Sequence, residues 1–208
     1  MPSPSESSSE QIFWAWFLEN EEMLLHQQHT DDSRERVLNQ VQNALHKIDE
    51  NLAFEFGPPE SRREFIVSAG GMKSCFPAVL RLKQAQPSLD RWAITYFMPR
   101  RDPSSTFELG GLKINSRDMV FSLLSRDSDI GLEVFIPEYS DADPSYKQIG
   151  YLFLDQALGE FDVVTKVFYL RFFASAEPLK FDRIPFSELP ERFDELYNRL
   201  NGLSGKPN

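Results

Sequence analysis

Phe107-Glu108-Leu109-Gly110-Gly111-Leu112-Lys113-Ile114 is the stretch that decides how this chain is built. Paired glycines between two short apolar runs accept the positive φ that a two-residue turn requires, so the segment predicts a tight β-hairpin. Downstream, Met119–Leu124 and Leu132–Ile136 flank Arg126-Asp127-Ser128-Asp129 and predict a second hairpin. Upstream, Leu52, Phe54 and Phe56 alternate with Ala53 and Glu55. After the turn Gly57-Pro58-Pro59-Glu60, Phe65, Val67 and Ala69 alternate with Glu64, Ile66 and Ser68. Trp92–Met98 is apolar on both faces, the pattern of a central strand, and Val163–Phe173 is a long β-rich run. Strands clustered through hairpins imply a mainly antiparallel sheet with helices on one face, which is the α+β arrangement. No βαβ alternation is read, so a doubly wound dinucleotide-binding sheet is not expected.

Helical signals surround these strands. Gln11–Gln28 predicts a helix that is apolar on most sides over Ile12, Phe13, Trp14, Trp16, Phe17 and Leu18. Thr30-Asp31-Asp32-Ser33 offers capping oxygens to a second helix, on which Val37, Val41, Ala44 and Ile48, with Leu38 and Leu45, share one face. So short a connection predicts an N-terminal helical hairpin. Asp143-Pro144 starts another helix, with Ile149, Leu152, Phe153 and Ala157 inward and Gly159 as its stop. Pro190 opens the last, with Phe193, Leu196, Tyr197 and Leu200 on one face. The expectation is one α+β domain over residues 11–208, with a mostly antiparallel sheet of about six strands. Residues 1–10, Ser-rich and polar, read as a disordered lead.

Composition narrows the function classes. The chain has 208 residues, with 22 basic and 32 acidic side chains and a net charge of −10. That balance argues against nucleic acid and against anionic membranes as partners, since both need a positive surface. One Cys excludes an internal disulfide framework and a Cys-rich zinc site, and fits a reducing compartment. The longest apolar run, Ile12–Leu18, falls short of the roughly 20 residues of a spanning helix. The first ten residues lack the basic and apolar regions of a signal peptide, so a cytoplasmic location is expected. Charge is uneven: residues 51–104 hold 8 basic and 5 acidic side chains, whereas the segments on either side are strongly acidic.

That basic middle contains the first candidate site. Ser68-Ala69-Gly70-Gly71 joins a strand to a helix, and consecutive backbone N–H groups at such a turn can hold an anion. Lys73, Arg100 and Arg101 can complete the pocket, with Arg100 offering two parallel bonds to a carboxylate or phosphate. The competing reading is that the glycines only make the turn. Cys75 with Arg81 has the Cys-x5-Arg spacing of cysteine phosphatases, but the apolar Phe76–Leu80 between them predicts a helix and a buried, inert thiol. His26 and His29 are three apart, without the further ligands a zinc site needs, and His46 stands alone. No metal and no cofactor are expected. Asp155, Glu160 and Asp162 cluster around Gly159 and are read either as structural ion pairs, with Arg100 or Arg171 as partner, or as an acid–base pair. Phe13, Trp14, Trp16 and Phe17 point to several sides of the first helix, and exposed Trp and Phe mark interfaces.

Phe13-Trp14-Ala15-Trp16-Phe17, Ser68-Ala69-Gly70-Gly71, Phe76-Pro77-Ala78-Val79 and Leu154-Asp155-Gln156-Ala157-Leu158-Gly159-Glu160-Phe161-Asp162-Val163 together resemble a family of uncharacterised bacterial proteins of about this length. The resemblance implies no activity, cofactor or catalytic residue. Two functional expectations follow. The first is a non-enzymatic cytoplasmic interaction or accessory protein that meets a protein partner, or a second copy, through its first helix. The alternative is a binder of small anions or nucleotide-type ligands, a hydrolase among the possibilities, built on Ser68–Gly71 and Arg100.

Overall fold

A computed structural model describes residues 7–25, 31–58, 61–175 and 183–202. Among these residues, seven α-helices and nine strands form an α+β fold with three sheets. Four of the six strand pairings are antiparallel, as expected. The strands foreseen in one sheet are shared among orders β1-β2-β3, β4-β5 and β8-β7-β6-β9. Two compact units contain them, Met1–Met98 and Pro99–Asn208.

In the first unit, α1 (Ser9–Glu19) starts earlier than the sequence pattern indicates. Ser8 Oγ accepts from the Gln11 amide, and the Ser8 amide donates back to Gln11 Oε1, a capping box that orders residues 8–10. The helix stops at Asn20, whose side chain donates to the Trp16 carbonyl at 2.8 Å, and α2 (Glu21–Leu25) follows. A polar side chain that satisfies a terminal carbonyl thus divides what the apolar pattern reads as one helix. On α3 (Asp31–His46), Val37, Val41 and Leu45 are buried on the expected face. Thr30, His26 and His29 lie outside the described residues.

β1 (Ala53–Phe56) pairs antiparallel with β2 (Arg63–Ser68), and β2 pairs parallel with β3 (Trp92–Tyr96). The helix α4 (Phe76–Ala85) makes the crossover between the parallel pair. This corrects two expectations. A βαβ unit is present, and β2 rather than the Trp92 strand is central. A ten-residue helix between two strands supplies the crossover that parallel pairing requires. β2 then lies between two neighbours, and Phe65 through Ser68 are all buried. Phe13, Phe17, Phe65 and Trp92 form the aromatic centre, with Phe17 and Trp92 rings 4.8 Å apart.

In the second unit, β4 (Thr106–Leu109) and β5 (Leu112–Asn115) form the Gly110-Gly111 hairpin, with φ of 60° and 84° at its glycines. β6 (Val120–Arg126) and β7 (Asp129–Ile136) form the second hairpin. α5 (Pro144–Leu158) begins at the Asp143 cap and ends at Gly159, whose φ of 78° releases the chain into α6 (Glu160–Lys166). Val163–Lys166 is therefore helical, and the β-rich run reduces to β8 (Val167–Ala174), parallel to β7. Glu160 and Asp162 in the first turn and Lys166 in the last complement the helix dipole, which offsets the β preference of Val163, Val164 and Thr165. β9 (Ile184–Pro185) closes the opposite edge, and α7 (Leu189–Leu200) packs on α5. Phe121, Leu132, Val134, Ile149, Phe153, Phe186 and Phe193 are fully enclosed here. Gly150 lets α5 approach β8: a Cβ there would meet Phe172 Cε1 and come within 2.8 Å of Cζ.

Candidate functional site

The Ser68–Gly71 turn forms as a strand-to-helix connection, with φ of 61° at Gly70 and 72° at Gly71. The Gly70 amide in the turn, and the Met72 and Cys75 amides after it, are engaged internally. The Gly70 N–H donates to the buried Ser68 Oγ at 2.9 Å, Met72 N–H to the Ala69 carbonyl at 3.1 Å, and Cys75 N–H to the Met72 carbonyl at 3.0 Å. An anion cradle needs those donors free. Lys73 is exposed on the 3-10 turn Lys73–Cys75 that precedes α4. Cys75 is buried, with its Sγ 3.7 Å from Asp49 Oδ1. Arg81, the basic residue of the Cys-x5-Arg spacing, donates instead to Glu10 at 2.7 Å. The loop of free amides that phosphatase chemistry demands is replaced by α4.

Arg100 belongs to the second unit and is engaged there. Its Nε donates to the Leu158 carbonyl at 2.8 Å. Its Nη1 and Nη2 grip Asp194 at 2.7 and 2.9 Å, and Nη2 also reaches Asp162 at 2.6 Å. The fork joins the end of α5 to α6 and α7, and the bonds to Asp194 and Asp162 hold the guanidinium protonated despite partial burial. The backbone N–H of Arg101, an exposed residue, donates to the Gln156 carbonyl at 2.7 Å. Asp162 also receives Lys166 at 2.8 Å, and the Lys166 ammonium lies 4.4 Å from the centre of the Tyr197 ring.

The three carboxylates around Gly159 therefore differ. Asp162 is paired. Glu160 is fully buried at the start of α6. Asp155 is half-buried, and burial together with the charge of Glu160 pushes its carboxyl up to about 7. Arg100 serves Asp162 and Asp194 rather than Asp155. The junction is a structural clamp beside one carboxyl able to exchange a proton near neutral pH.

The first-helix aromatics are corrected by burial. Phe13 and Trp14 are 2% exposed and Phe17 is 0% exposed. Trp14 Nε1 donates to the Leu82 carbonyl of α4 at 2.9 Å. One face of this apolar helix is enclosed by its own unit, so these three side chains cannot meet a partner without unfolding, while Ile12 and Leu18 stay exposed. Trp16 is half-buried.

The surface that sequence reasoning missed lies on β8. Val167 is opposite Ile130 and Tyr169 opposite Gly131, so Phe168 is the extra residue of a β-bulge. It is 78% exposed, the highest value among the large apolar side chains described, and Tyr169 beside it is 39% exposed. Among the described residues β8 pairs only with β7 and stands last in its sheet. A run of aromatic and branched residues reads the same whether a strand is central or at an edge; only the strand order separates the two.

The class defined so far is a two-unit α+β protein whose Gly70 amide and Arg100 guanidinium are engaged internally and whose most exposed large apolar side chain among the described residues, Phe168, lies on an edge strand. No family model matches the chain, and neither a curated protein nor a solved structure shows significant similarity to it. No helix among the described residues is long and apolar enough to cross a membrane.

Proposed function

We propose that this chain is a non-enzymatic interaction protein whose contact surface is the outer edge of β8, not its first helix. The observation that carries the reading is Phe168, turned out by a bulge on an eight-residue edge strand. Burying one such aromatic against a partner is worth about 1.5–3 kcal/mol, enough to anchor an interface. The opposite edge of the same sheet supports it by contrast. β9 has two residues, one of them Pro185, which cannot donate to a further strand. Edges left long and unguarded invite pairing, and β8 has neither Pro nor Lys. The alternative of an anion pocket is disfavoured by the internal bonds of the Gly70 amide and of Arg100.

The test is a photoreactive benzoylphenylalanine at position 168 in growing cells, with the same group at exposed Leu109 as control. The reading expects a discrete covalent adduct from position 168 and none from 109. Adducts from both positions alike, or from neither, overturn it.

A further inference from the structure

We infer that Asn201-Gly202 is a site of self-modification. The side-chain amide of Asn201 is lost by ring closure onto the Gly202 nitrogen, and that loss uncaps the C-terminal end of α7. Three observations lead there. The first is the sequence. An asparagine followed by glycine is the pair most open to this chemistry, because the attacking amide nitrogen has no Cβ beside it and its backbone turns freely. Asn201-Gly202 is the one such pair in the chain of 208 residues. The second is exposure. Both residues are exposed, and beyond its chain neighbours no described atom lies within 4 Å of where a Gly202 Cβ would stand, so water and hydroxide reach the pair.

The reaction balances with water as its co-reactant. Hydroxide takes the Gly202 amide proton, and the nitrogen attacks Asn201 Cγ. The Cγ–Nδ2 bond breaks, and Nδ2 leaves as ammonia with a proton from water. A second water opens the five-membered imide at either carbonyl, giving aspartate or isoaspartate.

The third observation is what Asn201 holds. Its Nδ2 donates to the Tyr197 carbonyl at 2.8 Å, and its backbone N–H donates to the same oxygen at 3.1 Å. The Gly202 N–H, at φ of 66°, donates to the Arg199 carbonyl at 3.4 Å. These bonds satisfy carbonyls that the end of a helix leaves without partners. They also gate the chemistry. A planar ring needs the Gly202 nitrogen on the Cβ side of Asn201, whereas ψ of 8° eclipses it with the Asn201 nitrogen. Ring closure therefore waits for the last turn to open, which costs a fraying helix end almost nothing. After the reaction the cap cannot re-form. A carboxylate donates nothing to the Tyr197 carbonyl, and it puts negative charge at the negative end of the helix dipole. The turn that loosens is one that matters to the second unit: Tyr197 stacks on Phe193, packs against the core and carries the Lys166 ammonium on its ring.

The experiment keeps the full chain in warm, mildly alkaline buffer, folded and in urea side by side, and follows its tryptic peptides by mass. The peptide beginning at Leu200 is expected to gain about 1 Da ahead of every other asparagine peptide. The folded chain should convert several-fold more slowly than the unfolded one, yet to completion. Asn201→Asp, one of the two products, should speed hydrogen exchange of the residue 201 and 202 amides about threefold after correction for intrinsic rates. A folded chain still intact at Asn201 when the urea sample has fully converted overturns the site. So does another asparagine converting as fast. Equal rates in the folded and unfolded chains overturn the gate, and unchanged exchange in Asn201→Asp overturns the uncapping.

Discussion

Two elements of this protein, α1 and β8, each hold four aromatic side chains and meet opposite ends. Phe13-Trp14-Ala15-Trp16-Phe17 lies in the middle of α1, and three of its four rings are enclosed. Val167-Phe168-Tyr169-Leu170 opens β8, and no residue of that strand is buried. The difference is one of neighbours. α1 lies against α4 and the aromatic face of the first sheet, so each ring has something to cover it. β8 is last in its sheet, and the bulge at Phe168 turns a side chain away from the core. Aromatic content therefore marks a core in one place and a surface in the other, and only packing separates them.

The largest effect expected breaks the α1 side of this comparison. Trp14→Ala should cost about 3–5 kcal/mol in urea unfolding, from lost burial, a residual cavity and the orphaned Leu82 carbonyl. A loss below about 1 kcal/mol would mean that α1 is not a core element. Next comes the junction that leads into β8. A carboxyl raised from 3.8 to about 7 by folding contributes stability that is complete below the unfolded value and is lost as pH rises through the folded one. The chain should therefore lose on the order of 2–4 kcal/mol between pH 4 and pH 8 from Asp155. Asp155→Asn should remove that part of the slope and be the more stable form at pH 8. Thermal melts of both proteins across this range check it, and parallel curves would refute it.

Gly150→Ala sharpens the comparison from beneath β8. The added methyl meets the Phe172 ring and should cost about 1–3 kcal/mol by overpacking. Unfolding midpoints equal to wild type would show that β8 yields easily. The smallest effect is the most telling. Phe168→Ser should leave stability within about 0.5 kcal/mol, since an exposed ring has little packing to lose. Yet it should weaken several-fold the co-purification of the protein that the photoreactive group at position 168 captures. A variant that is destabilised as much as Trp14→Ala would place Phe168 in the core.

Much of the fold was legible where the signal was local. Gly110-Gly111 gave its hairpin, Asp143-Pro144 its helix start, and Gly159 the end of α5. The spacing of Val37, Val41 and Leu45 gave a buried face. The parallel pairings were not legible, because β2 with β3 and β7 with β8 meet only across intervening helices. At the candidate sites, the Ser68–Gly71 turn was found by its glycines, but the inward use of its amides depends on the Ser68 hydroxyl folding back. Asp155, Glu160 and Asp162 were identified as a group, while their separate roles depend on burial. Phe168 carried no signal of its own, since the bulge that exposes it appears only in the pairing register.

The sequence alone determined the class of fold, the local turns and caps, and an acidic chain with a basic middle. Each of these depends on residues a few positions apart, where covalent connection and backbone sterics act directly. The tertiary structure decided which strands lie at an edge, which aromatics are covered and what Arg100 holds. Its two carboxylate partners lie 62 and 94 residues along the chain. Contacts at that separation are set by how whole elements pack, and no local pattern of residues encodes them.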